Sequence, residues 1–252
     1  MNRKIAIVTG GSRGLGKNAI EKLIKKGVDV IFTYHSQAAA AQAVVQSVEA
    51  QGGKAVALPL NTGESGSFDA FVAQVKTQLQ RVWQRETFDF LVNNAGVGLH
   101  ESFATTTEEQ FDLMMNVHLK GPFFLTQKLL PLMTDGGRIL NISSGLARFA
   151  LPGSSAYAMM KGAIEVLTRY QAKELGVRGI TANVLAPGEI ETDCSGGMVR
   201  DNPEVNQFVA SNTALGRAGL PDDIGDMVAL MLSDEAGWMT AQRVEASGGM
   251  FI

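Results

Sequence analysis

Short apolar runs alternate with helical patterns along the whole chain. Seven runs rich in aliphatic and aromatic residues predict strands, at residues 4–9, 28–33, 54–58, 88–92, 138–142, 180–185 and 243–246. Strands that are apolar on both sides are typical of a parallel sheet whose two faces are covered by helices. The pattern therefore predicts an α/β fold built on a parallel sheet.

Helical patterns fill most of the intervals between these strands, at residues 14–26, 37–50, 65–83, 107–133, 155–175 and 221–232. The stretch 107–133 reads as one long helix that bends at Gly121-Pro122, because proline lacks a backbone N–H. Residues 187–219 are rich in Gly, Asn, Ser and Thr and are long for a connection. The strand pattern resumes after them, so we expect a lid over a site, at about residues 189–215, rather than a linker.

Composition narrows the class of protein. The chain has 252 residues, a net charge of -3 and one cysteine, Cys194. This length suits one α/β domain, and the small negative charge argues against nucleic acid or an anionic membrane as a partner. One cysteine excludes an intrachain disulfide, no apolar run reaches the roughly 18 residues of a membrane span, and no signal peptide is evident. We therefore expect a cytoplasmic protein.

A glycine-rich segment follows the first predicted strand and opens a helix. Gly10 permits a tight turn, while Gly14 and Gly16 allow the backbone to approach a pyrophosphate at the helix N-terminus. The spacing G-x-x-x-G-x-G differs from the common G-x-G-x-x-G fingerprint. By itself the segment leaves open both a dinucleotide site and a turn without a ligand.

The end of the second predicted strand bears on the choice of nicotinamide cofactor. An NAD site usually places an acidic side chain there, about 20 residues after the glycines, to hold a ribose hydroxyl. This chain has Thr33-Tyr34-His35-Ser36 and no acid. Arg13 lies inside the glycine turn and can reach a 2′-phosphate, with Lys17 as the alternative cation. The charges favour NADP(H), while NAD(H) stays possible.

Tyr157 and Lys161 are four residues apart on a predicted helix and therefore share a face. A phenol has a reference pKa of about 10, and a nearby ammonium group favours its ionised form. Ser144 follows the fifth strand and can donate a hydrogen bond to a substrate carbonyl. Tyr-x-x-x-Lys is common by chance, but after a glycine turn it predicts hydride exchange at a carbonyl, with Tyr157 as proton donor.

Together these motifs resemble those of the short-chain dehydrogenase/reductase family, essentially from end to end. The resemblance is carried by Thr9-Gly10-x-x-x-Gly14-x-Gly16, Asn93-Asn94-Ala95-Gly96, Asn116, Ser144, Tyr157, Lys161 and Pro187-Gly188-x-Ile190-x-Thr192. It implies a single-domain Rossmann fold over residues 1–252, with a doubly wound seven-stranded parallel sheet and helices on both faces. It also implies a catalytic tetrad of Asn116, Ser144, Tyr157 and Lys161.

The resemblance and the motifs assign cofactor contacts to residues at the ends of several strands. These are Gly10, Ser12, Arg13, Gly14, Leu15, Gly16, Tyr34, His35, Ser36, Asn61, Thr62, Asn94, Ala95, Gly96, Tyr157, Lys161, Pro187, Gly188, Ile190 and Thr192. Substrate contacts are expected beside the tetrad and in the lid, at Ser144, Leu146, Leu151, Ser154, Tyr157 and Met198. Their mostly apolar character suits a hydrophobic ketone. The resemblance implies a homotetramer that pairs through the helices at 107–133 and 155–175.

A few positions depart from the family pattern or need separate interpretation. The usual C-terminal Asp-Gly-Gly is replaced by Ser247-Gly248-Gly249, and Glu189 places a charge near the expected pocket mouth. We expect Glu189 to face solvent. His35, His100 and His118 are scattered and lack the spacing of metal ligands, so no metal site is expected.

The predicted function is an NADP(H)-dependent carbonyl reductase or alcohol dehydrogenase for small or aromatic ketones. A 3-oxoacyl-[acyl-carrier-protein] reductase would need a basic surface for its acidic carrier, and residues 131–137 contain no Lys or Arg. Arg169 and Arg178 could still supply such a surface, so this alternative stays open. A sugar dehydrogenase also stays open. The non-enzyme alternative is an NADP-binding, redox-sensing interaction module, against which the intact tetrad argues.

Overall fold

Seven parallel strands form one sheet in the computed structural model, in the order β3-β2-β1-β4-β5-β6-β7. The structure describes residues 3–252, except for the side chains of residues 194 and 195. The strands are β1 (Lys4–Val8), β2 (Val28–Tyr34), β3 (Ala55–Pro59), β4 (Phe88–Asn93), β5 (Met133–Ile142), β6 (Thr181–Pro187) and β7 (Arg243–Ala246). Because β1 lies between β2 and β4, the winding direction reverses there, and a crevice opens at their carboxyl ends. The predicted doubly wound sheet is confirmed.

Helices cover both faces of this sheet. They are α1 (Gly14–Lys25), α2 (Ala38–Ala50), α3 (Phe68–Gln78), α4 (Glu108–Met115), α5 (Gly121–Leu129), α6 (Ser155–Leu175), α7 (Met198–Asp201), α8 (Pro203–Ser211) and α9 (Pro221–Met231).

The apolar runs of the strands are explained by two cores, one on each face. Consecutive strand residues point to opposite faces. In β1, Ala6 and Val8 belong to the core that includes Ile20 of α1, whereas Ile5 and Ile7 belong to the core that includes Phe68 of α3. Neither face of β1 meets water, which is why its sequence shows no polar alternation.

The long helix expected at residues 107–133 is present as a helical run from Glu108 to Leu132, which a π-helical turn interrupts before Gly121. Helix α4 ends at Met115, a π-helical turn spans Asn116–Lys120, and α5 begins at Gly121. Pro122 has no N–H for the carbonyl of His118, so the regular hydrogen-bond ladder cannot pass through this point. Gly121 instead donates to the carbonyl of Asn116, five residues back.

The same expectation also misplaced the start of the fifth strand. Strand β5 begins at Met133, so it is longer than the predicted residues 138–142. Its pairing with β4 shifts register between Phe88 and Phe90. Gly136, with φ +76°, supplies the left-handed conformation at this irregularity. The extra strand residues therefore lie around a bulge that the apolar pattern does not show.

The stretch 187–219 is more regular than its composition indicated, because it contains α7 and α8. The side chain of Asn202 accepts hydrogen bonds from the backbone N–H groups of Glu204 and Val205, and Pro203 occupies the first turn of α8. Asparagine followed by proline is a typical helix start. The sequence therefore contained a signal for α8.

Candidate active site

The turn after β1 places glycines, whose backbone carries no side chain, at the carboxyl edge of the sheet. Gly10 and Gly14 have φ values of +68° and +53°, which favour glycine. A Cβ on Gly16 would lie 2.1 Å from the carbonyl oxygen of Gly10, and one on Gly10 would lie 2.9 Å from the Cα of Ala95. Side chains are thus excluded at the N-terminus of α1, where free N–H groups can meet an anion.

Asn94 fixes the turn after β4 to this glycine turn. Its Nδ2 donates to the carbonyls of Thr9, at 2.9 Å, and Gly10, at 3.2 Å. In return, the hydroxyl of Thr9 accepts from the backbone N–H groups of Asn94 and Ala95, both at 2.9 Å. Two of the predicted cofactor segments are therefore held together by side-chain hydrogen bonds.

The segment after β6 returns to the same place. A Cβ on Gly14 would lie 3.9 Å from the Cβ of Thr192. The N–H of Gly188 donates to the carbonyl of Ala246 at 3.1 Å, and Ile190 forms a parallel bridge with Gly219. Residues far apart in the chain thus surround the N-terminus of α1.

The other predicted cofactor residues lie along the same edge. Ser12, Leu15, Tyr34, Asn61 and Ala95 are half-buried, Pro187 and Thr62 are buried, and Arg13, His35, Ser36 and Gly96 are exposed. The sequence analysis omitted Gly11, although a Cβ there would come within 2.6 Å of Ile20 and 2.8 Å of Phe32. Gly11 thus allows α1 to pack closely on β2. A second glycine directly after Gly10 was the signal in the sequence that could have identified it.

Lys161 joins the helix that carries Tyr157 to the strand that precedes Ser144. It is 5% exposed, and its Nζ donates to the carbonyl of Ile142 at 2.7 Å. The same Nζ lies 5.4 Å from the centroid of the Tyr157 ring. A buried cation at this distance stabilises negative charge on the phenol.

Two adjacent serines follow β5, and their surroundings differ. Ser143 is buried, and its hydroxyl donates to Glu165 at 2.8 Å. Ser144 is half-buried, and its oxygen accepts from the backbone N–H of Leu146 at 3.2 Å. That contact leaves the proton of Ser144 available to a carbonyl oxygen, as the sequence analysis expected for this serine.

Asn116 begins the π-helical turn, which rests on the end of β3. A Cβ on Gly121, the residue after this turn, would lie 2.2 Å from the carbonyl oxygen of Thr62. The wide turn and the chain after β3 therefore pack backbone against backbone, which places Asn116 beside the predicted cofactor residues Asn61 and Thr62.

His118 is a site residue that the sequence analysis missed. It is 3% exposed, and its ring meets the Tyr157 ring edge-on. Its Nε2 lies 2.8 Å from the carbonyl oxygen of Val97, and a Cβ on Gly96 would touch its Cε1 at 2.7 Å. Burial, with a smaller effect of the Lys161 charge, lowers the pKa of His118 to about 3. No local pattern in the sequence marks it, because its partner Tyr157 lies far along the chain.

Other kinds of site find no support among the residues that the structure describes. Within them, no three His, Cys, Asp or Glu side chains are grouped as metal ligands would be. None of the described helices combines the length and the apolar character that crossing a bilayer requires.

The sequence and fold match known proteins over nearly their whole length. A family model described as enoyl-(acyl carrier protein) reductase matches residues 10–251. FabG, a 3-oxoacyl-[acyl-carrier-protein] reductase of Staphylococcus aureus, is 32% identical, and the match covers 99% of this chain and 98% of FabG. The chain belongs to the short-chain dehydrogenase/reductase family. It is therefore an oxidoreductase of that family, as the motifs indicated.

Two solved structures of reductases extend this likeness. LugOII, a promiscuous reductase that catalyses keto-reduction at C1 during lugdunomycin biosynthesis, is 39% identical with a TM-score of 0.94, over 99% of this chain and 98% of LugOII. LanV, an angucycline C-6 ketoreductase whose structure contains bound NADP, is 38% identical with a TM-score of 0.93, over 98% of this chain and 95% of LanV.

In this short-chain dehydrogenase/reductase, a cavity of about 300 Å³ lies beside the loop that follows Ser144. Three predicted substrate residues, Leu146, Leu151 and Ser154, line it together with Phe103. Met198 does not line this cavity; it lies on α7 with its side chain half-exposed. The cavity thus gathers Leu146, Leu151 and Ser154, whereas Ser144, Tyr157 and Met198 are not part of its lining.

Glu189 corrects another expectation of the sequence analysis. Its side chain is half-buried rather than solvent-facing, and burial raises the pKa of its carboxyl group. The N–H of Gly219 donates to the carbonyl of Glu189 at 3.0 Å, so the chain returns to this position. A contact between segments so far apart in sequence leaves no mark in the local pattern.

Proposed function

We propose that this enzyme reduces an apolar ketone to a secondary alcohol with NADPH. The observation that carries the proposal is the position of Lys161, bonded to the strand end before Ser144 and 5.4 Å from the Tyr157 ring. A proton donor, a hydrogen-bond donor and a buried cation are thus held by α6 and the end of β5. They suit the charge that develops on a carbonyl oxygen during hydride transfer.

The glycine turn fits the pyrophosphate of a dinucleotide, since a single added Cβ on Gly16 would collide with the backbone. Arg13 is exposed at this turn, and no carboxylate of the described residues lies within ion-pair distance of it. Lys17, the alternative cation, lies 3.9 Å from Glu21. We therefore assign the 2′-phosphate of NADP(H) to Arg13, and the NADP bound to the similar LanV supports this choice.

NADPH supplies the hydride when it is bound. The hydroxyl of Ser144 donates a hydrogen bond to the carbonyl oxygen and orients the ketone. Tyr157 gives its proton to that oxygen as negative charge forms there, and Lys161 stabilises the phenoxide that remains. Asn116 sits at the turn that supports this group of residues. Solvent then returns a proton to Tyr157, so one hydride and one proton are consumed for each alcohol formed.

The cavity beside Ser144 supports an apolar ketone. Its wall is mainly apolar, with Phe103, Leu146, Leu151 and Pro152 beside smaller residues, so an aromatic or alicyclic group gains more there than a sugar. The keto-reduction described for LugOII and LanV agrees with this choice. Reduction of a 3-oxoacyl thioester is the second candidate, favoured by the likeness to FabG.

Consumption of NADPH and of NADH, with an aryl ketone and with an acetoacetyl thioester, tests the proposal. We expect turnover of the ketone with NADPH, loss of turnover in Tyr157→Phe with cofactor binding retained, and a KM increase in Arg13→Ala that is larger for NADPH than for NADH. Turnover of the thioester alone would transfer the assignment to acyl-chain reduction. Full activity of Tyr157→Phe would reject the proton donor.

We also propose that the enzyme is a cytoplasmic homotetramer. Helices α4, α5 and α6 expose large apolar side chains, namely Leu113, Phe123, Phe124, Met159, Val166 and Tyr170. Covering such side chains stabilises an assembly. Light scattering after size exclusion should give four times the 26.8 kDa chain mass. A monomeric mass at all concentrations would reject this assembly.

A further inference from the structure

The guanidinium of Arg148 holds the end of the chain against the loop that carries Ser144. Its Nε and Nη2 donate to the two carboxylate oxygens of Glu245, at 2.9 and 2.6 Å. Its Nη1 and Nη2 also donate to the carbonyls of Phe251, at 3.1 Å, and Met250, at 2.7 Å. A bidentate ion pair of this kind fixes the orientation of the two side chains as well as the distance between them.

Glu245 extends this clamp toward the helix that carries Tyr157. It accepts hydrogen bonds from Arg243, at 2.8 Å, and from Ser247, at 2.7 Å. The hydrogen bond from Arg148 is the main cause that lowers the pKa of Glu245 to about 2, so the carboxylate stays charged at physiological pH. Arg243 also donates to Glu165 of α6 at 2.7 Å.

The clamped tail in turn holds the lid. The N–H of Phe251 donates to the carbonyl of Asn212 at 3.0 Å, and those of Ala214 and Leu215 donate to tail carbonyls at 3.2 and 3.1 Å. The ring of Phe251 packs on Phe149, with centroids 4.9 Å apart, and lies 6.4 Å from the ring of Phe208 on α8. The C-terminal tail, residues 248–252, therefore connects the end of the lid to the loop that follows Ser144.

We propose that Arg148 is a positioning residue that sets the affinity for the ketone by holding the C-terminal part of the lid, residues 203–215, through the C-terminal tail. This inference rests on the proposed ketone reduction. Arg148 contributes no proton and touches no reacting atom. Its removal releases Met250 and Phe251, and with them the hydrogen bonds that join Asn212, Ala214 and Leu215 to the tail.

Arg178 provides a matched control. It too pairs with one carboxylate, Asp135 at 2.7 Å, and donates to two backbone carbonyls, those of Leu130 and Met133. It lies at the amino end of β5, away from the site. Arg148→Met thus removes four hydrogen bonds and Arg178→Met removes three of the same kinds, and only the first set reaches the lid.

The kinetic test compares these two variants with the wild-type enzyme. In Arg148→Met we expect the KM for the ketone to rise by about tenfold and kcat to change less, because the clamp orders the loop that lines the cavity and the segment tied to it without taking part in the chemistry. The KM for NADPH should stay the same. Arg148→Lys should recover part of the loss, since lysine can still reach Glu245. An unchanged ketone KM in Arg148→Met would overturn the proposal.

Amide hydrogen exchange tests the clamp without any turnover. Exchange over residues 203–215 should become at least about tenfold faster in Arg148→Met, and should stay at the wild-type rate in Arg178→Met. If the wild-type enzyme reduces no ketone, the proposed function fails, while exchange still decides whether Arg148 holds the lid. Glu245→Gln, which keeps Arg148, gives the same comparison if Arg148→Met does not fold. Wild-type exchange rates over residues 203–215 in both Arg148→Met and Glu245→Gln would overturn the inference.

Discussion

The imidazole of His118 meets the phenol of Tyr157 edge-on, with ring centroids 5.0 Å apart and ring planes at 83°. Aromatic pairs in this arrangement contribute about 0.5–1.5 kcal/mol beyond the area they bury. Because the pKa of His118 is lowered to about 3, the ring stays neutral and adds no second positive charge beside Lys161. The contact therefore orients the phenol while leaving Lys161 as the adjacent cation.

The depressed pKa of His118 predicts a loss of stability in acid. The unfolded chain binds a proton at His118 near its ordinary pKa of 6.5, whereas the folded protein does so only near 3. The unfolded state thus binds more protons in between, and stability falls as pH drops below 6.5, by up to about 1.4 kcal/mol per pH unit. His118→Phe keeps an aromatic ring but does not titrate. Urea unfolding at several pH values should give this variant the shallower pH dependence, and equal slopes would contradict the assignment.

Gly16 predicts a specific defect in cofactor binding. Alanine at this position would place its Cβ 2.1 Å from the carbonyl oxygen of Gly10 and 2.6 Å from Nδ2 of Asn94. The turn must open to relieve this clash, and we expect the Kd for NADPH, from fluorescence titration, to rise by at least about tenfold. Gly176→Ala is the control, because an added Cβ there meets no atom within 4 Å. Equal affinities in the two variants would refute the role of the turn.

The raised pKa of Glu189 predicts that stability falls as pH rises, which is opposite to the pH dependence predicted for His118. Its pKa is raised in the folded protein, so the folded state holds the proton more tightly than the unfolded chain does. Stability is full below the ordinary pKa of 4.5 and decreases as pH rises through the raised value. Glu189→Gln should therefore increase Tm at about pH 8 and leave it unchanged at about pH 4. The exposed residue Glu49, changed to Gln, controls for the altered net charge, and an equal Tm gain in both variants would argue against burial as the cause.

A buried amide network predicts a large loss of stability on substitution. Nδ2 of Asn93 donates to Thr126 and Asn141, and Nδ2 of Asn141 donates to Thr168 and Gln171, at 2.8 to 3.0 Å. Asn141→Leu leaves several of these partners buried without a hydrogen bond, which should cost about 2–4 kcal/mol. Denaturant unfolding measures this cost. A loss below about 0.5 kcal/mol would mean that water or repacking satisfies the remaining groups.

Much of the fold could be predicted because its signals are local. Apolar strands buried on both faces, such as β1 with Ile5 and Val8, indicate a parallel sheet whose two faces are covered by helices. The π-helical turn could not be predicted in the same way, since it shifts hydrogen bonds without changing the hydrophobic pattern. Pro122 marked a disturbance of the helix, and the structure shows the disturbance as the π-helical turn Asn116–Lys120 that precedes Gly121.

The parts of the site that escaped prediction depend on residues distant in sequence. Glu189 is half-buried where the chain returns at Gly219, and Arg148 pairs with Glu245, 97 residues later. Periodicity does not report such pairings. His118 was missed for a related reason, because a lone histidine acquires meaning only when Tyr157 is known to lie against it.

The strand order has a consequence for how such enzymes can be recombined. Strands β3, β2 and β1 come from the first 59 residues, and β4 to β7 come from residue 88 onward. A boundary in the sheet is therefore also a boundary in the gene, spanned only by the connection through α3. Two related chains joined within that connection would need to preserve the seam between β1 and β4, the packing of α1 on α9 with the ion pairs of Lys22 to Asp222 and Asp226, and the hydrogen bonds of Asn94 to the glycine turn. We expect such a hybrid to take its dinucleotide preference from the first parent and its substrate preference from the second.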